Sequence, residues 1–376
     1  MKHWDTIIVG AGIIGLSLAI ELNKRGLKVL VVDKGEPGRE ASWAAGGMLA
    51  DFPLEMPAAL TELASASARM YPEFVHELQD ESGLKIDLRD KGALVFLDSA
   101  KRDSHHDSQP GPALTDLYPS PQPLQELEPA LSISGKVPSQ TVLFLKERSV
   151  DPRHLTAAAI AAAKHRGVNF SSGDHVQAVE VADGKVAGVR TNKTQFAAGM
   201  VINCAGAWAG EIGGDVGLRG SGRLRAAVPT RPVKGQMLCV VMPQKELVRH
   251  VIRTPDVYLI PRSDGRMVIG ATQEEAGFDK RTIPETIQKL RQAALDLVPK
   301  LAEARFLEAW AGLRPGTPDA LPILGATETP GYFVATGHFR DGILLAPVTA
   351  RVMGQVIGGE RPEFDLNAFA PERFRN

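Results

Sequence analysis

Thr6-Ile7-Ile8-Val9-Gly10-Ala11-Gly12-Ile13-Ile14-Gly15-Leu16-Ser17-Leu18-Ala19-Ile20-Glu21-Leu22 is the stretch whose reading decides the fold. Its first four residues are a short β-branched run and read as a buried strand. Glycines follow at 10, 12 and 15, and residues 16–22 then continue with helical spacing until Gly26. Lys28-Val29-Leu30-Val31-Val32-Asp33 is a second strand ending in an acid. Strand, glycine turn, helix, second strand and terminal acid in register form a dinucleotide-binding fingerprint, where a chance glycine turn would lack the context. Gly10 allows the tight turn, Gly12 lets a pyrophosphate approach the backbone, and Gly15 lets helix and strand pack closely. The helix start offers free N–H groups and the positive end of its dipole to phosphate. Asp33 stands where a carboxylate accepts hydrogen bonds from a ribose.

Composition narrows the rest. A length of 376 residues with 44% hydrophobic content suits one large or two intertwined domains with an ample core. The formal net charge is −1 and no Lys/Arg stripe is present, so nucleic acid is not an expected partner. Glycines and charges interrupt every apolar run, so no membrane span is expected. Asp5 and the glycine turn occupy the place of a signal peptide's apolar core, so none is expected. Cys204 and Cys239 are the only cysteines. Both lie in apolar strand-like runs and read as small buried hydrophobes rather than a disulfide, which fits a reducing cytoplasm. No Cys/His cluster has metal-ligand spacing, and no metal is expected.

Beyond Asp33, a polar turn leads to Ala41-Ser42-Trp43-Ala44-Ala45-Gly46-Gly47-Met48-Leu49. Almost bare of side chains from Ala44 to Gly47, this loop suits either a planar ligand or tight packing. Residues 60–78 have helical periodicity, and 86–88 and 92–97 read as strands. Residues 99–123 are polar, rich in Pro, Ser and His, and read as an exposed loop, with His105 and His106 solvated. A short helix is expected over 124–131. Asp151 is an N-cap with Pro152 at the first position of a helix to His165. Short strands follow at 168–170, 176–181, 186–189 and 195–196, with Asp183-Gly184 as a hairpin turn. Residues 199–208 repeat the opening logic: a buried strand, then small residues able to admit a cofactor. A strand over 231–241, a hairpin over 257–272 and an amphipathic helix over 283–297 come next. A strand over 306–311 precedes a glycine turn, and a strand over 332–336 precedes a helix over 343–357. There is no internal repeat.

Two C-terminal motifs are more specific than the glycine fingerprint. Gly312-Leu313-Arg314-Pro315-Gly316-Thr317-Pro318-Asp319 and Gly337-His338-Phe339-Arg340-Asp341-Gly342-Ile343-Leu344-Leu345-Ala346-Pro347 closely resemble the glycine oxidases of thiamine biosynthesis, in the D-amino-acid oxidase group of FAD enzymes. The resemblance covers nearly the whole chain, including the Ala44–Met48 loop, Asn203-Cys204-Ala205-Gly206-Ala207-Trp208 and the Tyr258 hairpin. It implies an α/β fold: a Rossmann-like FAD-binding domain with a second, mixed-sheet α+β substrate domain over the flavin. The expected division gives 1–90, 146–230 and 305–376 to the first and 91–145 and 231–304 to the second. A chain that begins and ends with strand–glycine turn–helix units closes one sheet with both ends, leaving its middle for the second layer.

With the resemblance, the expected FAD contacts are Gly10, Gly12, Ile13, Ile14, Gly15, Asp33 and Lys34 at the fingerprint. Ala44, Ala45, Gly46, Gly47 and Met48 follow, then Val176, Ala205, Gly206 and Trp208. The C-terminal motifs add Arg314, His338, Arg340, Gly342, Ile343 and Leu344. The turn after Arg340 would aim backbone N–H groups at the flavin's carbonyl edge and stabilise the reduced ring. Arg314 is the expected anchor for a substrate carboxylate, because a guanidinium pairs with it in a bidentate fork; a salt bridge to Asp319 is the competing reading. Tyr258 supplies a second hydrogen bond, or is a core-edge tyrosine with a wet hydroxyl. Arg340 touches the substrate or pairs within its loop, and Met48 lines the pocket or simply packs. Gln273 replaces a methionine usual in those oxidases, which leaves the pocket's polarity open.

No Ser/His/Asp or paired-carboxylate constellation is present. That accords with hydride transfer from a neutral amine to a flavin, which needs positioning and exclusion of water more than acid–base groups. The reaction implied is oxidation of glycine, small amines or D-amino acids by molecular oxygen, giving glyoxylate, ammonia and hydrogen peroxide. D-amino-acid oxidase, sarcosine oxidase, a quinone-linked dehydrogenase and a non-catalytic flavoprotein subunit are the alternatives. FAD is expected to be non-covalent, since neither cysteine lies in the C-terminal motif. A cytoplasmic homo-oligomer is expected.

Overall fold

Strand His3–Val9 lies inside an eight-stranded sheet in a computed structural model that describes residues 3–97, 123–132, 141–212 and 228–374. Its neighbours are Val29–Asp33 and Gln195–Asn203, both parallel to it, and Asn169–Ser172 and Tyr332–Thr336 extend the parallel set outward. Alternation along each strand divides the side chains between two cores. Ile8 and Val31 face the helices Ile13–Lys24, Thr61–Ser82, Pro152–His165 and Ala346–Ile357. Ile7, Leu30 and Val32 face a second cluster that includes Val176, Val179, Val186 and Val189, from the hairpin Val176–Ala182/Lys185–Thr191. Both termini thus close one sheet, with Tyr332–Thr336 beside Gln195–Asn203. Asp151 caps the helix Pro152–His165 through the Arg153 and His154 N–H groups, as its sequence context requires.

The second layer is a seven-stranded mixed sheet in the order Arg305–Gly316, Arg231–Val241, Arg266–Gly270, Tyr258–Pro261, Val251–Arg253, Ala93–Leu97, Thr141–Leu145. Leu238, Val240, Leu259 and Ile269 on one face pack with Leu290 and Ala294 of the helix Pro284–Leu297. Met237, Cys239, Ile260 and Val268 on the other face join Ala44 and Phe52 from the first layer.

Several boundaries differ from the sequence expectation. Residues 195–203 form one strand, not two. The strand expected to stop at 311 continues as Arg305–Gly316, because Arg231–Val241 pairs with it along its whole length, from Val241↔Arg305 to Arg231↔Gly316. Residues 305–316, assigned in the expected division to the FAD-binding part, therefore hydrogen-bond in the second sheet. The helix expected over 124–131 is confined to Leu124–Leu127, since Pro129 cannot donate into another turn. The last helix starts at Ala346 rather than 343. Residues 99–122 of the expected polar loop lie outside the described residues.

Candidate active site

A cavity of about 550 Å³ lies between the two sheets. At one end it meets the glycine turn, whose fixing contacts are between backbone atoms. Gly10 has φ +107°, and a Cβ there would overlap the Cys204 carbonyl. A Cβ at Gly15 would overlap the Gly10 carbonyl oxygen, so Gly15 underlies the turn rather than lining the cavity. The helix Ile13–Lys24 has Gly12 at its cap and no acidic residue in its first turn, leaving the positive dipole end uncompensated by charge. Ser42 Oγ accepts the Ile13 N–H at 2.9 Å. Asp33 borders the cavity, but its oxygens also accept the Ala11 N–H at 2.7 Å and the Gly35 N–H at 2.8 Å. It fastens the glycine turn as well as bordering the cavity.

Gly12, Ile13, Ile14, Lys34, Val176, Ala205, Gly206 and Trp208 continue this wall. Lys34 Nζ sits 3.1 Å from the centre of the Trp208 ring, which stacks on Phe278, and burial lowers the lysine's pKa. The Ala44-Ala45-Gly46-Gly47-Met48 loop lines the cavity with its bare face and is packed hard on its back. Gly47 has φ +79°, and a Cβ there would overlap the Val150 carbonyl. Two side chains grip the same loop, Trp310 from strand Arg305–Gly316 and Arg262 from just beyond strand Tyr258–Pro261. Trp310 Nε1–H donates to the Ala44 carbonyl at 3.0 Å, and Arg262, only 2% exposed, donates to Gly46 O at 2.6 Å and Val150 O at 2.9 Å. The loop is thus tightly packed on one face and open to the cavity on the other.

At the opposite end, Arg314 lies across strand Arg231–Val241. A Cβ at Gly235 would meet its Cζ at 2.7 Å, so only glycine admits the guanidinium there. Its Nη1 donates to Thr272 O at 3.0 Å and more loosely to Lys234 O at 3.4 Å. Asp319, the expected competitor, pairs instead with Arg373 at 2.7 Å. Among the described residues Arg314 has carbonyl partners and no carboxylate. Tyr258 lies against another bare position, where a Cβ at Gly270 would be 2.8 Å from its ring. Burial raises the Tyr258 pKa, while the adjacent Arg314 and, more weakly, Arg340 oppose the shift. Met48, Met237 and Gln273 complete this end, with Met237 Sδ 3.7 Å from the Tyr258 hydroxyl.

The second C-terminal motif also borders the cavity. His338, Arg340, Gly342 and Ile343 line it. Arg340 donates to the Glu55 carbonyl at 2.6 Å rather than pairing within its own loop. Burial pulls the His338 imidazole down to about 3, so it is neutral near pH 7; its Nε2 lies 3.0 Å from Thr349 Oγ1. Asp341 is pushed up to about 6 by burial, against the pull of Arg340. Leu344 does not line the cavity: its side chain is in the core and its carbonyl accepts the Ser67 hydroxyl at 2.6 Å. Sequence reasoning missed Gly235, Gly270 and Arg262. An isolated glycine within a strand marks a close approach, and that was the available signal for the first two. Nothing in the sequence marks Arg262 as buried.

The donor set fits FAD. The dipole end of a helix, the Asp33 carboxylate and three stretches of nearly bare backbone open onto one cavity. A glycine-turn layer joined to a second sheet across such a cavity defines a flavin-dependent oxidoreductase. The chain belongs to the family of FAD dependent oxidoreductases, DAO, which matches residues 5–356. Within it, the chain is 34% identical over 97% of its length to the glycine oxidase of Pseudomonas aeruginosa, covering 98% of that protein. It is also 32% identical, over all of its length and 97% of the relative, to hydrogen cyanide synthase subunit HcnC of Pseudomonas aeruginosa. Among solved structures, glycine oxidase from Geobacillus kaustophilus matches with a TM-score of 0.88 and 30% identity over 100% of both chains. The protein is an enzyme and FAD is its cofactor. No helix among the described residues is long and apolar enough to cross a membrane, and no group of side chains there could hold a metal ion.

Proposed function

We propose that this enzyme oxidises glycine and other small amines or D-amino acids, consuming oxygen and water and releasing ammonia, hydrogen peroxide and the corresponding carbonyl compound, which for an amino acid is the 2-oxo acid and for glycine glyoxylate. The observation that carries the reading is Arg314, a cavity-lining guanidinium held by carbonyls and left without a carboxylate among the described residues. It binds the substrate carboxylate in a bidentate fork, and Tyr258, kept protonated by burial, donates a second hydrogen bond. Met48 and Arg340 close the substrate's surroundings. The first sheet serves as the FAD-binding domain and the second as the substrate-binding domain. Bound FAD supplies the two-electron acceptor. The protein holds the substrate α-carbon toward it and excludes water.

FAD is held without a covalent link: Cys204 borders the cavity, but burial raises its pKa far above the ordinary value and keeps it a poor nucleophile. The two buried free cysteines accord with a cytoplasmic location, and a homo-oligomer is the proposed assembly. The resemblance to glycine oxidases extends the proposal to thiamine biosynthesis, where the imine or its hydrolysis product supplies thiazole formation.

Anaerobic mixing with glycine tests the reaction. Bleaching of the flavin, then peroxide and glyoxylate on admitting air, is the expected result. An unchanged spectrum overturns it. Bleaching without peroxide identifies a dehydrogenase, and cyanide in place of glyoxylate identifies a synthase-like reaction.

A further inference from the structure

Behind Arg314, on the side of the second sheet turned away from the cavity, lies a polar cluster that the proposed reaction does not use. Strand Arg231–Val241 alternates, so Gly235 and Met237 face the cavity while Lys234 and Gln236 point the other way, 2% and 0% exposed. Glu274 is their hub. Its Oε1 accepts the Gln236 amide at 2.8 Å and the Thr272 hydroxyl, and its Oε2 lies 3.9 Å from Lys234 Nζ. The main chains of Lys234 and Glu274 exchange both N–H···O bonds at 2.9 Å. Thr272 Oγ1 accepts the Gln236 N–H at 2.8 Å, and Gln236 Oε1 accepts the Ile283 N–H at the start of helix Pro284–Leu297. The cluster fixes residues 272–274 against the strand, and two carbonyls of this region, Thr272 O and Lys234 O, hold Arg314 on the cavity side.

We propose that Glu274 is a positioning residue for substrate recognition, acting through the Thr272 and Lys234 carbonyls to orient Arg314. This rests on the reading of Arg314 as the carboxylate anchor. A guanidinium recognises a carboxylate only when its planar fork is correctly turned, so a small displacement of its acceptors costs affinity without touching the ligand. The charge on Glu274 matters as well, because the ammonium of a buried lysine needs a counter-charge. Glu274→Gln keeps one acceptor oxygen but sets an amide donor against Lys234 Nζ.

The test is a cycle of Glu274→Gln and Arg314→Met, each measured in the FAD-loaded enzyme. Glu274→Gln should raise KM for glycine by roughly tenfold, the scale of one charge-assisted hydrogen bond. Its kcat, its FAD affinity and its slow oxidation of ethylamine, which lacks a carboxylate, should stay within about twofold on the same scale. In the Arg314→Met background it should add no further loss on glycine. An equal loss in both backgrounds, or unchanged glycine kinetics, overturns the proposal. If Glu274→Gln fails to fold, Lys234→Met/Glu274→Gln removes both charges and is carried through the same cycle. Arg314→Met without effect on glycine would overturn the anchor reading itself; a damaging Arg314→Met with a neutral Glu274→Gln overturns only the positioning role.

Discussion

At the dinucleotide end of the cavity, backbone meets backbone: Gly15 against Gly10 O, Gly10 against Cys204 O, Gly47 against Val150 O. At the end proposed to take the substrate, side chains lie across bare strand positions: Arg314 over Gly235 and Tyr258 against Gly270. Backbone contacts have no rotamers through which to yield, so Gly10, Gly15 and Gly47 tolerate no added atom. Side chains can turn away, so the second end responds to substitution by losing orientation before it loses structure. The two ends should therefore fail differently, one in cofactor retention and the other in substrate kinetics.

Gly15→Ala is the most severe test. Its methyl group would overlap a backbone carbonyl, so helix Ile13–Lys24 would have to leave its place on the sheet. The expected outcome is protein that purifies without FAD or fails to fold, read from the flavin-to-protein absorbance ratio and the melting temperature. Gly12→Ala should disturb the apo fold less, because within the protein its Cβ would meet only the Ser42 hydroxyl, at 3.2 Å, but it should still weaken FAD binding, since the methyl group would occupy the side from which a pyrophosphate approaches. Full FAD content in Gly15→Ala would break the backbone half of the comparison.

Arg314→Met is expected to act at the other end alone. It should retain FAD and lose about a hundredfold to a few thousandfold in kcat/KM for glycine, the cost of roughly 3–5 kcal/mol for stranding one partner of a buried ion pair. Arg314→Lys should recover part of that, since an ammonium lacks the planar fork. Gly235→Ala should follow it at lower amplitude, up to about a hundredfold, because its Cβ would displace the guanidinium it now underlies. Loss of FAD from either variant would show that the two ends are not separable.

The same contrast explains what the sequence disclosed. Gly10, Gly12, Gly15 and Asp33 belong to one strand–turn–helix–strand unit, so their spacing alone carries their geometry. Arg314, Gly235, Tyr258 and Gly270 come from four strands, and the pairings of Arg231–Val241 with Arg305–Gly316 and with Arg266–Gly270, and of Arg266–Gly270 with Tyr258–Pro261, bring them together. The resemblance to a family singles out Arg314 and Tyr258; nothing in their local pattern distinguishes an anchor from an ion pair at Arg314, or a site hydroxyl from a wet one at Tyr258. Gly235 and Gly270 were visible as glycines in strands, but the direction of the approach they permit is a property of register. The strand expected to stop at 311 runs on for a related reason: Gly312, Pro315 and Gly316 read as a turn, whereas a long antiparallel partner keeps them extended.

Asp33→Ala carries the smallest expected effect and probes whether the dinucleotide end has a side-chain component. Its carboxylate already accepts two backbone N–H groups, from Ala11 and Gly35, and an ionised carboxylate has capacity beyond them for a ribose. Removing one charge-assisted site of this kind costs on the order of 1.5–3 kcal/mol, or about ten- to a hundredfold in FAD affinity. Saturating FAD should restore most glycine turnover, and KM for glycine should not move, because Arg314 is oriented by the second sheet. The melting temperature of the FAD-free protein separates the two jobs of the side chain. A value unchanged from wild type assigns the loss to the ribose contact. A lower value assigns part of it to the fastening of the glycine turn, which Asp33→Asn, keeping one acceptor oxygen, should partly recover. A rise in KM for glycine at saturating FAD would mean that disturbing the turn is felt at Arg314, and the independence of the two ends would have to be abandoned.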